Sequence, residues 1–302
     1  MAATVAVDIG ELNMPDDIDS VNHAGIAVRN LSEAAKRYEA MGFTMTPLSV
    51  HYGSAKPGEP VSAMATGNQC IMFPHNYVEV LGILNPGRPD WGVGDAIKRF
   101  QGAHIICFGC QRAETVHRRL SEAGIKTSGV IALQRDVETE DGVRTARFDC
   151  VHFDRSTTPE GFIQAARHRN PEYIHQSRYM THKNGARALS DLMLLVTEPE
   201  SYANKYEQLT GQKARRDGKC WRIDLPLVSR LTFIGPNEIG AELPGSLFPP
   251  TPSIAGLGFT VTDPGYVADL LKSAGIQHAR RDGRVVVPAE EALGAALYFV
   301  AP

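Results

Sequence analysis

The chain has 302 residues, of which 43 % are apolar and 22 % are charged, as in an ordinary globular protein. At about 100–200 residues per domain, this length predicts two domains. The formal net charge of -3 disfavours a nucleic-acid partner, because a protein that neutralises phosphates is normally basic. No apolar run approaches the roughly 18 residues of a membrane-spanning helix, so we expect no membrane partner.

The amino terminus and the cysteines predict the compartment. The first twenty residues contain five acidic side chains and no apolar core, unlike a secretory signal peptide. The five cysteines are odd in number and sparse, which is typical of a reducing compartment rather than of a disulfide framework. We therefore expect a cytoplasmic protein.

A unit of one strand, one helix and three further strands is repeated along the chain. In the first copy, the apolar pattern predicts a strand over 21–28, a helix over 31–41 and strands over 43–51, 62–73 and 77–84. Later copies open near residues 102, 191 and 254. A glycine ends the predicted helix of each copy: Gly42, Gly124, Gly211 and Gly275. Asp-Gly pairs predict hairpin turns in the later copies, at 141–142, 217–218 and 282–283.

These repeats predict an α+β fold of four βαβββ modules arranged in two pairs. Residues 1–20 precede the first module and are expected to form an N-terminal arm. The first pair is predicted over 21–185 and the second over 186–302. The boundary lies in a polar segment, 168–188, that is rich in His, Arg and Asn and has little periodicity.

Polar side chains occupy matching strand positions in the first two modules. His23 lies 19 residues before the glycine that ends its helix, and His104 lies 20 residues before the equivalent glycine. Glu79 in the last strand of the first module corresponds to Gln164 in the second. The third and fourth modules have other residues at the histidine position, Asp191 and Ala255.

If two similar modules pack with these strands around one cup, His23, Glu79, His104 and Gln164 come together. Two imidazoles and one carboxylate with open positions form the facial triad that suits Fe(II) and, less selectively, Mn, Zn or Ni. The alternative is that each is an ordinary buried polar side chain bonded to the backbone. Two histidines in matching positions together with a strand carboxylate favour the metal site.

The strands that carry these residues resemble the vicinal oxygen chelate superfamily, and more closely its glyoxalase-like branch. The likeness rests on His-Ala-Gly-Ile-Ala-Val at 23–28 and Asn-Tyr-Val-Glu-Val-Leu-Gly at 76–82. It covers about residues 20–185 well and the last two modules in outline. The resemblance implies that each pair forms a cupped mixed sheet with helices outside. It also implies a divalent metal that is chelated by substrate oxygens and held by four residues, His23, Glu79, His104 and Gln164.

Two departures from the family pattern bear on the reaction. In glyoxalases the residue at the place of Gln164 is usually a Glu that moves the substrate proton, and a Gln cannot act as a base. Ring-cleaving dioxygenases use two His and one Glu, as here, but take the Glu from the second module and usually keep iron in the C-terminal pair. We therefore expect the last two modules to be structural, covering or dimerising, which leaves a homodimer open.

The leading functional hypothesis is a non-haem Fe(II) dioxygenase that acts on a small oxygenated organic molecule. The first alternative is a glyoxalase-like lyase or isomerase that uses Zn, Ni or Mn to polarise a carbonyl. The second is a metal-free protein that binds and sequesters a small molecule, as resistance proteins of the superfamily do.

The polar segment between the two pairs is a further candidate part of the site. In one interpretation it drapes over the cup and presents His168 or His182 as a proton shuttle. His51, His75 and Tyr77, near strand ends, reach the cup in the same interpretation. In the other, the segment is a solvated linker and these side chains lie at the surface or in the core.

Overall fold

The computed structural model describes residues 17–54 and 58–302. An N-terminal arm is predicted over residues 1–20. Residues 1–16 of this arm lie outside the described residues. From Ile18 onward the chain is already in a strand, so residues 18–20 are part of the sheet rather than of an arm. None of the described helices is long and apolar enough to cross a membrane.

Eight strands of the first half close into a barrel in the order β1-β4-β3-β2-β6-β7-β8-β5. Their bounds are β1 (Ile18–Ala27), β2 (Ser49–Gly53), β3 (Ser62–Met72), β4 (Tyr77–Ile83), β5 (Gly102–Cys110), β6 (Thr127–Thr139), β7 (Gly142–Phe153) and β8 (Phe162–His168). Within each module the first and last strands are parallel neighbours, and β1 pairs with β5 antiparallel across the centre. The barrel closes where β2 pairs with β6.

Eight strands of the second half form a sheet in the order β10-β11-β12-β9-β13-β16-β15-β14, with β10 and β14 at its edges. Their bounds are β9 (Ala186–Leu195), β10 (Ala214–Asp217), β11 (Cys220–Asp224), β12 (Arg230–Ile234), β13 (Ser253–Val261), β14 (Ala279–Arg281), β15 (Arg284–Val287) and β16 (Ala296–Val300). Its central pair, β9 and β13, is antiparallel, as is the central pair of the barrel.

Seven helices connect these strands in the described part of the chain, together with a short 3₁₀ turn at Ser177–Tyr179. They are α1 (Leu31–Ala40), α2 (Val93–Arg99), α3 (Ala113–Glu122), α4 (Pro171–Ile174), α5 (Pro199–Thr210), α6 (Pro236–Glu242) and α7 (Pro264–Ser273). The module helices α1, α3, α5 and α7 bury one face each, and each ends within two residues of the glycine predicted to end it.

The predicted α+β fold of paired βαβββ modules is confirmed. The modules read β1-α1-β2-β3-β4, β5-α3-β6-β7-β8, β9-α5-β10-β11-β12 and β13-α7-β14-β15-β16. One predicted strand is shorter than expected: the strand at 43–51 begins only at Ser49. Pro47 lies just before it, and a proline cannot donate to a strand ladder.

A continuous apolar core joins the barrel to the second sheet. Phe43 and Phe73 of the first module lie 5.1 Å and 5.9 Å from Phe259 of β13, measured between ring centroids. The segment before β9 adds a polar contact, because Asn184 Nδ2 donates to the carbonyl oxygen of Met41 over 3.0 Å. The barrel is therefore supported on one side by the second sheet, while its interior remains separate from this core.

Candidate functional site

A cavity of about 90 Å³ lies inside the barrel. Trp91 and the start of α2 line it at one end, where Val93 and Ile97 pack against Ala27, Leu81 and Ile105. Apolar side chains form much of its wall, among them Leu81, Val93, Ile105, Leu133, Phe148 and Phe162. A mostly apolar enclosure with a few convergent polar groups is the usual form of a small-molecule site.

Glu79 of β4 is the centre of a polar cluster on the cavity wall. Asn68 Nδ2 donates to Glu79 Oε1 over 2.5 Å, and His51 Nε2 lies 3.2 Å from the same oxygen. The other oxygen, Oε2, lies 3.9 Å from His23 Nε2 and accepts no hydrogen bond from the described residues. One oxygen of the carboxylate is thus held by the protein, and the other remains available to a bound molecule.

Polar oxygens orient the two imidazoles of this cluster. His51 Nδ1 lies 2.8 Å from Thr66 Oγ1, and His23 Nδ1 lies 2.9 Å from Asn22 Oδ1. Because an amide oxygen can only accept, His23 donates from Nδ1 and presents the lone pair of Nε2. The His23 ring also stacks on Tyr77, with the ring centroids 4.5 Å apart.

Burial sets the charge states in the cluster. Burial lowers the pKa of His23 to about 4, although the Glu79 carboxylate opposes the shift, so this imidazole is neutral near pH 7. Burial acts to raise the pKa of Glu79, but the hydrogen bonds from His51 and Asn68 help to outweigh it. The pKa of Glu79 therefore lies well below its usual range, and the group is an ionised carboxylate.

Arg135 of β6 is a buried cation that has no ionic partner among the described residues. The residue is 6 % exposed, and no described carboxylate oxygen lies within 4.0 Å of it. Its Nη1 donates to Asn68 Oδ1 over 2.8 Å and lies 3.5 Å from Cys70 Sγ. Arg135 is the direct neighbour of His51 across the β2–β6 pair that closes the barrel. The closure thus brings a guanidinium to the cavity.

Several buried polar atoms of the cavity wall have no hydrogen-bond partner among the described residues: Nε2 of His152, Oε1 of Gln164, and both ring nitrogens of His168. Burial lowers the pKa of His152 to about 4 and that of His168 well below its usual value, so both rings are neutral. Buried polar atoms are normally bonded. All three residues line the same cavity.

His104, the second histidine of the predicted ligand set, lies outside this cavity. Its Nε2 lies 2.8 Å from the carbonyl oxygen of Phe100, and Ile105 is the β5 residue that pairs with Gly25 and lines the cavity. His23 lies eight residues before the first residue of α1, whereas His104 lies nine residues before that of α3. A shift of one residue turns a strand side chain to the opposite face.

The other predicted site residues divide between the cavity and the core. Gln164, Tyr77 and His168 line the cavity. His182 does not: its Nδ1 accepts from the backbone N–H of Thr44 over 3.0 Å, and its Nε2 lies 2.9 Å from a backbone carbonyl oxygen of β3. With both ring nitrogens engaged, His182 attaches the connecting segment to the first module and has no nitrogen free for a proton shuttle.

Asn68 and Arg135 are not among the site residues predicted from the sequence. A signal for Arg135 exists, because it follows Ile131 and Leu133 at alternate positions of β6 and so continues an inward face with a charge. Asn68 carries no such signal, since an amide in a strand of small residues is unremarkable.

Comparison with known proteins places the chain in a family. A family model described as a glyoxalase-like domain matches residues 21–210. The chain belongs to the glyoxalase-like domain family. This domain is of the vicinal oxygen chelate type, so the resemblance at the strands is confirmed. No curated protein matches the chain.

Solved structures share the fold over nearly the whole chain. A hypothetical protein from Staphylococcus aureus is 10 % identical with a TM-score of 0.63, covering 93 % of this chain and 98 % of that one. A variant of 4-hydroxymandelate synthase from Streptomyces coelicolor is 12 % identical with a TM-score of 0.55, covering 94 % and 92 %. A fusion of a xylose isomerase-like TIM barrel with 4-hydroxyphenylpyruvate dioxygenase is 10 % identical with a TM-score of 0.55, covering 95 % of this chain and 49 % of that one. At these identities the likeness establishes the fold.

Enzymes of the vicinal oxygen chelate type commonly use a divalent metal, but the four predicted ligands do not come together in this glyoxalase-like domain. Ile105 occupies the place expected for His104. Within residues 17–54 and 58–302, no three His, Cys, Asp or Glu side chains are arranged to hold a metal ion. His23 and His51 approach different oxygens of Glu79 rather than a common point, and Arg135 adds a positive charge to the same cavity.

Proposed function

We propose that the chain is an enzyme that moves a proton within a small oxygenated organic molecule bound in the barrel, as an isomerase or a lyase. The observation that carries the proposal is the geometry of Glu79. Its carboxylate is buried and ionised, with Oε1 held by Asn68 and His51 and with Oε2 lacking a hydrogen bond from the described residues. An ionised carboxylate with one oxygen free of hydrogen bonds is in the protonation state that a general base requires.

In the proposed reaction, a substrate C–H proton passes to Glu79 Oε2. The electron pair of the broken bond moves towards the neighbouring carbonyl oxygen of the substrate, where negative charge develops. The positive charge of Arg135, which lines the same cavity, favours that negative charge without binding the carbonyl oxygen directly. Return of the proton to another atom completes an isomerisation, and departure of a leaving group completes an elimination.

Solvent hydrogen exchange tests the proposal without knowledge of the natural substrate. Native protein prepared with EDTA is mixed in D₂O with 2-oxobutyrate, phenylpyruvate and hydroxyacetone, and loss of the C–H signals is followed by NMR. We expect exchange above the buffer rate with at least one probe. In Glu79→Gln the excess rate is expected to fall by about 10²–10⁴-fold, the usual contribution of a positioned base.

The matched control is Glu33→Gln, on the exposed face of α1, which should exchange at the native rate. Exchange by Glu79→Gln at the native rate would remove Glu79 from the role of base. No exchange above buffer with any probe would overturn the proposal, and iron content would then separate a metal-dependent dioxygenase from a protein that only binds its ligand.

A metal-dependent dioxygenase is the second candidate. Two of the similar solved structures carry the names 4-hydroxymandelate synthase and 4-hydroxyphenylpyruvate dioxygenase. In addition, His23 and His51 are each held at Nδ1 by a polar oxygen while Nε2 points to Glu79. Partners at the other ring nitrogen orient metal-binding histidines in the same way. Iron bound in stoichiometric amount, and lost in His23→Ala and His51→Ala, would favour this candidate over the first.

A further inference from the structure

We infer that the molecule bound in the barrel is a singly charged carboxylic acid with an apolar body, and that its carboxylate binds Arg135. The inference deepens the proposed function and rests on it for the place of the site. It concerns recognition rather than the reaction, so binding alone can test it.

The first observation is the state of Arg135. A buried charge is strongly disfavoured unless it is paired, yet Arg135 is 6 % exposed and has no carboxylate within 4.0 Å among the described residues. Its described hydrogen bonds both start from Nη1 and reach a neutral amide oxygen and a thiol sulfur. Nε and Nη2 have no hydrogen-bond partner in the described part of the chain, although the guanidinium carbon lies 6.0 Å from the centroid of the Tyr77 ring. A carboxylate accepts two parallel hydrogen bonds from such a fork.

Glu79 does not supply the missing charge. It shares Asn68 with Arg135, since Asn68 accepts from Arg135 at Oδ1 and donates to Glu79 from Nδ2. The amide therefore bridges the two charged groups, which make no direct ion pair. His51 and Asn68 hold Oε1 of the Glu79 carboxylate, whereas Nε and Nη2 of the guanidinium make no hydrogen bond to the described residues.

The wall of the cavity defines the rest of the ligand. Leu81, Ile105, Leu133 and Phe162 present apolar surface that a hydrocarbon chain or an aromatic ring can cover. With a single guanidinium among these walls, the site suits one negative charge better than the two of a phosphate monoester.

Binding can be followed through Trp91, which lines the cavity. In a Trp221→Phe background, Trp91 is the only tryptophan of the chain. The fluorescence of this protein is titrated with phenylacetate, benzoate and hexanoate, and with their neutral amides. We expect at least one acid to bind at least tenfold more tightly than its amide. Equal binding of acid and amide, or no binding of any acid, would overturn the inference.

Two substitutions locate the carboxylate contact. Arg135→Gln is expected to abolish the preference for acid over amide, whereas Arg144→Gln, at an exposed position of β7, should retain it. If Arg135→Gln does not fold, the acid-to-amide ratio of the unsubstituted protein still decides the question. Retention of the preference in folded Arg135→Gln would contradict the assignment.

Glu79→Gln separates this inference from the proposed function. We expect it to bind acids at least as tightly as native protein while losing proton exchange. Acid preference without any exchange in native protein would remove the proposed reaction and leave the recognition intact. Proton exchange without a preference for acids would overturn the inference about recognition and leave the proposed reaction intact.

Discussion

The barrel of β1–β8 and the sheet of β9–β16 are built from the same modules, yet their concave faces hold different contents. The barrel lines a cavity with an ionised carboxylate, a guanidinium and neutral imidazoles. On the second sheet, apolar side chains pack into a cluster of their own: Met193, Leu195, Leu243, Ala255, Val286 and Tyr298. A pair of such modules can therefore either enclose a cavity or fill its concave face with its own side chains.

Glycines on β13 permit this filling. A Cβ at Gly256 would lie 2.9 Å from the side chain of Leu243, and one at Gly258 would lie 2.5 Å from the ring of Tyr298. Both contacts are closer than Cβ atoms tolerate. The absence of side chains at these two positions lets Leu243 and Tyr298 lie directly against the central strands.

Strand length explains why one half closes. In the barrel, β6 has 13 residues and pairs with β2 across the gap between modules. In the second half the corresponding strands, β10 and β14, have four and three residues and remain at opposite edges. Closure is also what places His51 beside Arg135, so the chemistry of the barrel depends on it.

The largest expected effect concerns the filling of the second sheet. Leu243→Ala should lower the free energy of unfolding by about 2–5 kcal/mol, because it leaves a cavity at a fully buried position. Acid binding in the barrel should remain native in the folded protein. Urea unfolding measures the loss, with Leu247→Ala as the exposed control. A loss below about 1 kcal/mol would mean that Leu243 does not fill this face.

Asp191 occupies the position in β9 that His23 occupies in β1 of the barrel. Its raised pKa leads us to expect that the stability of the protein depends on pH. Burial raises its pKa from 3.8 to about 6, although Arg230 lies 3.7 Å away and opposes the shift. Between about pH 4 and 6 the native state then binds more protons than the unfolded chain, so stability falls as the pH rises through that interval.

Asp191→Asn should remove this dependence, because the amide is neutral and can still accept from the Thr232 hydroxyl, which lies 2.9 Å from Oδ1 in the native protein. Relative to native protein, we expect a stabilisation of about 1–3 kcal/mol at pH 8 and little change at pH 4. Urea unfolding at both pH values measures it. Equal effects at pH 4 and pH 8 would show that Asp191 is not the titrating group.

The smallest effects are expected for substitutions of two histidines of the barrel, His51 and His104. His51→Gln should lower proton exchange about tenfold, or about 1.4 kcal/mol, because it removes an orienting partner of Glu79. His104→Gln should leave exchange within about twofold and cost about 1 kcal/mol of stability, the hydrogen bond to Phe100. A larger loss of the proton-exchange rate in His104→Gln than in His51→Gln would indicate that His104 acts in the site.

The two histidines also show how far the sequence reaches. His23, Glu79 and Gln164 could be placed in the cup, since their strands belong to modules with clear periodicity. His104 was placed there as well, although its distance from the helix differs from that of His23 by one residue. A one-residue difference lies within the uncertainty of a predicted strand boundary, yet it reverses which face a side chain occupies.

The sequence by itself determined the four modules, their helices and turns, and the strand positions of His23 and Glu79. These features are local, because periodicity, helix-ending glycines and turn residues act over a few neighbouring residues. The tertiary structure alone decided that Ile105 rather than His104 enters the cavity, that β2 meets β6, and that Arg135 reaches the interior. These outcomes depend on strand register and on pairing between residues more than 80 positions apart, such as Tyr52 and Gln134.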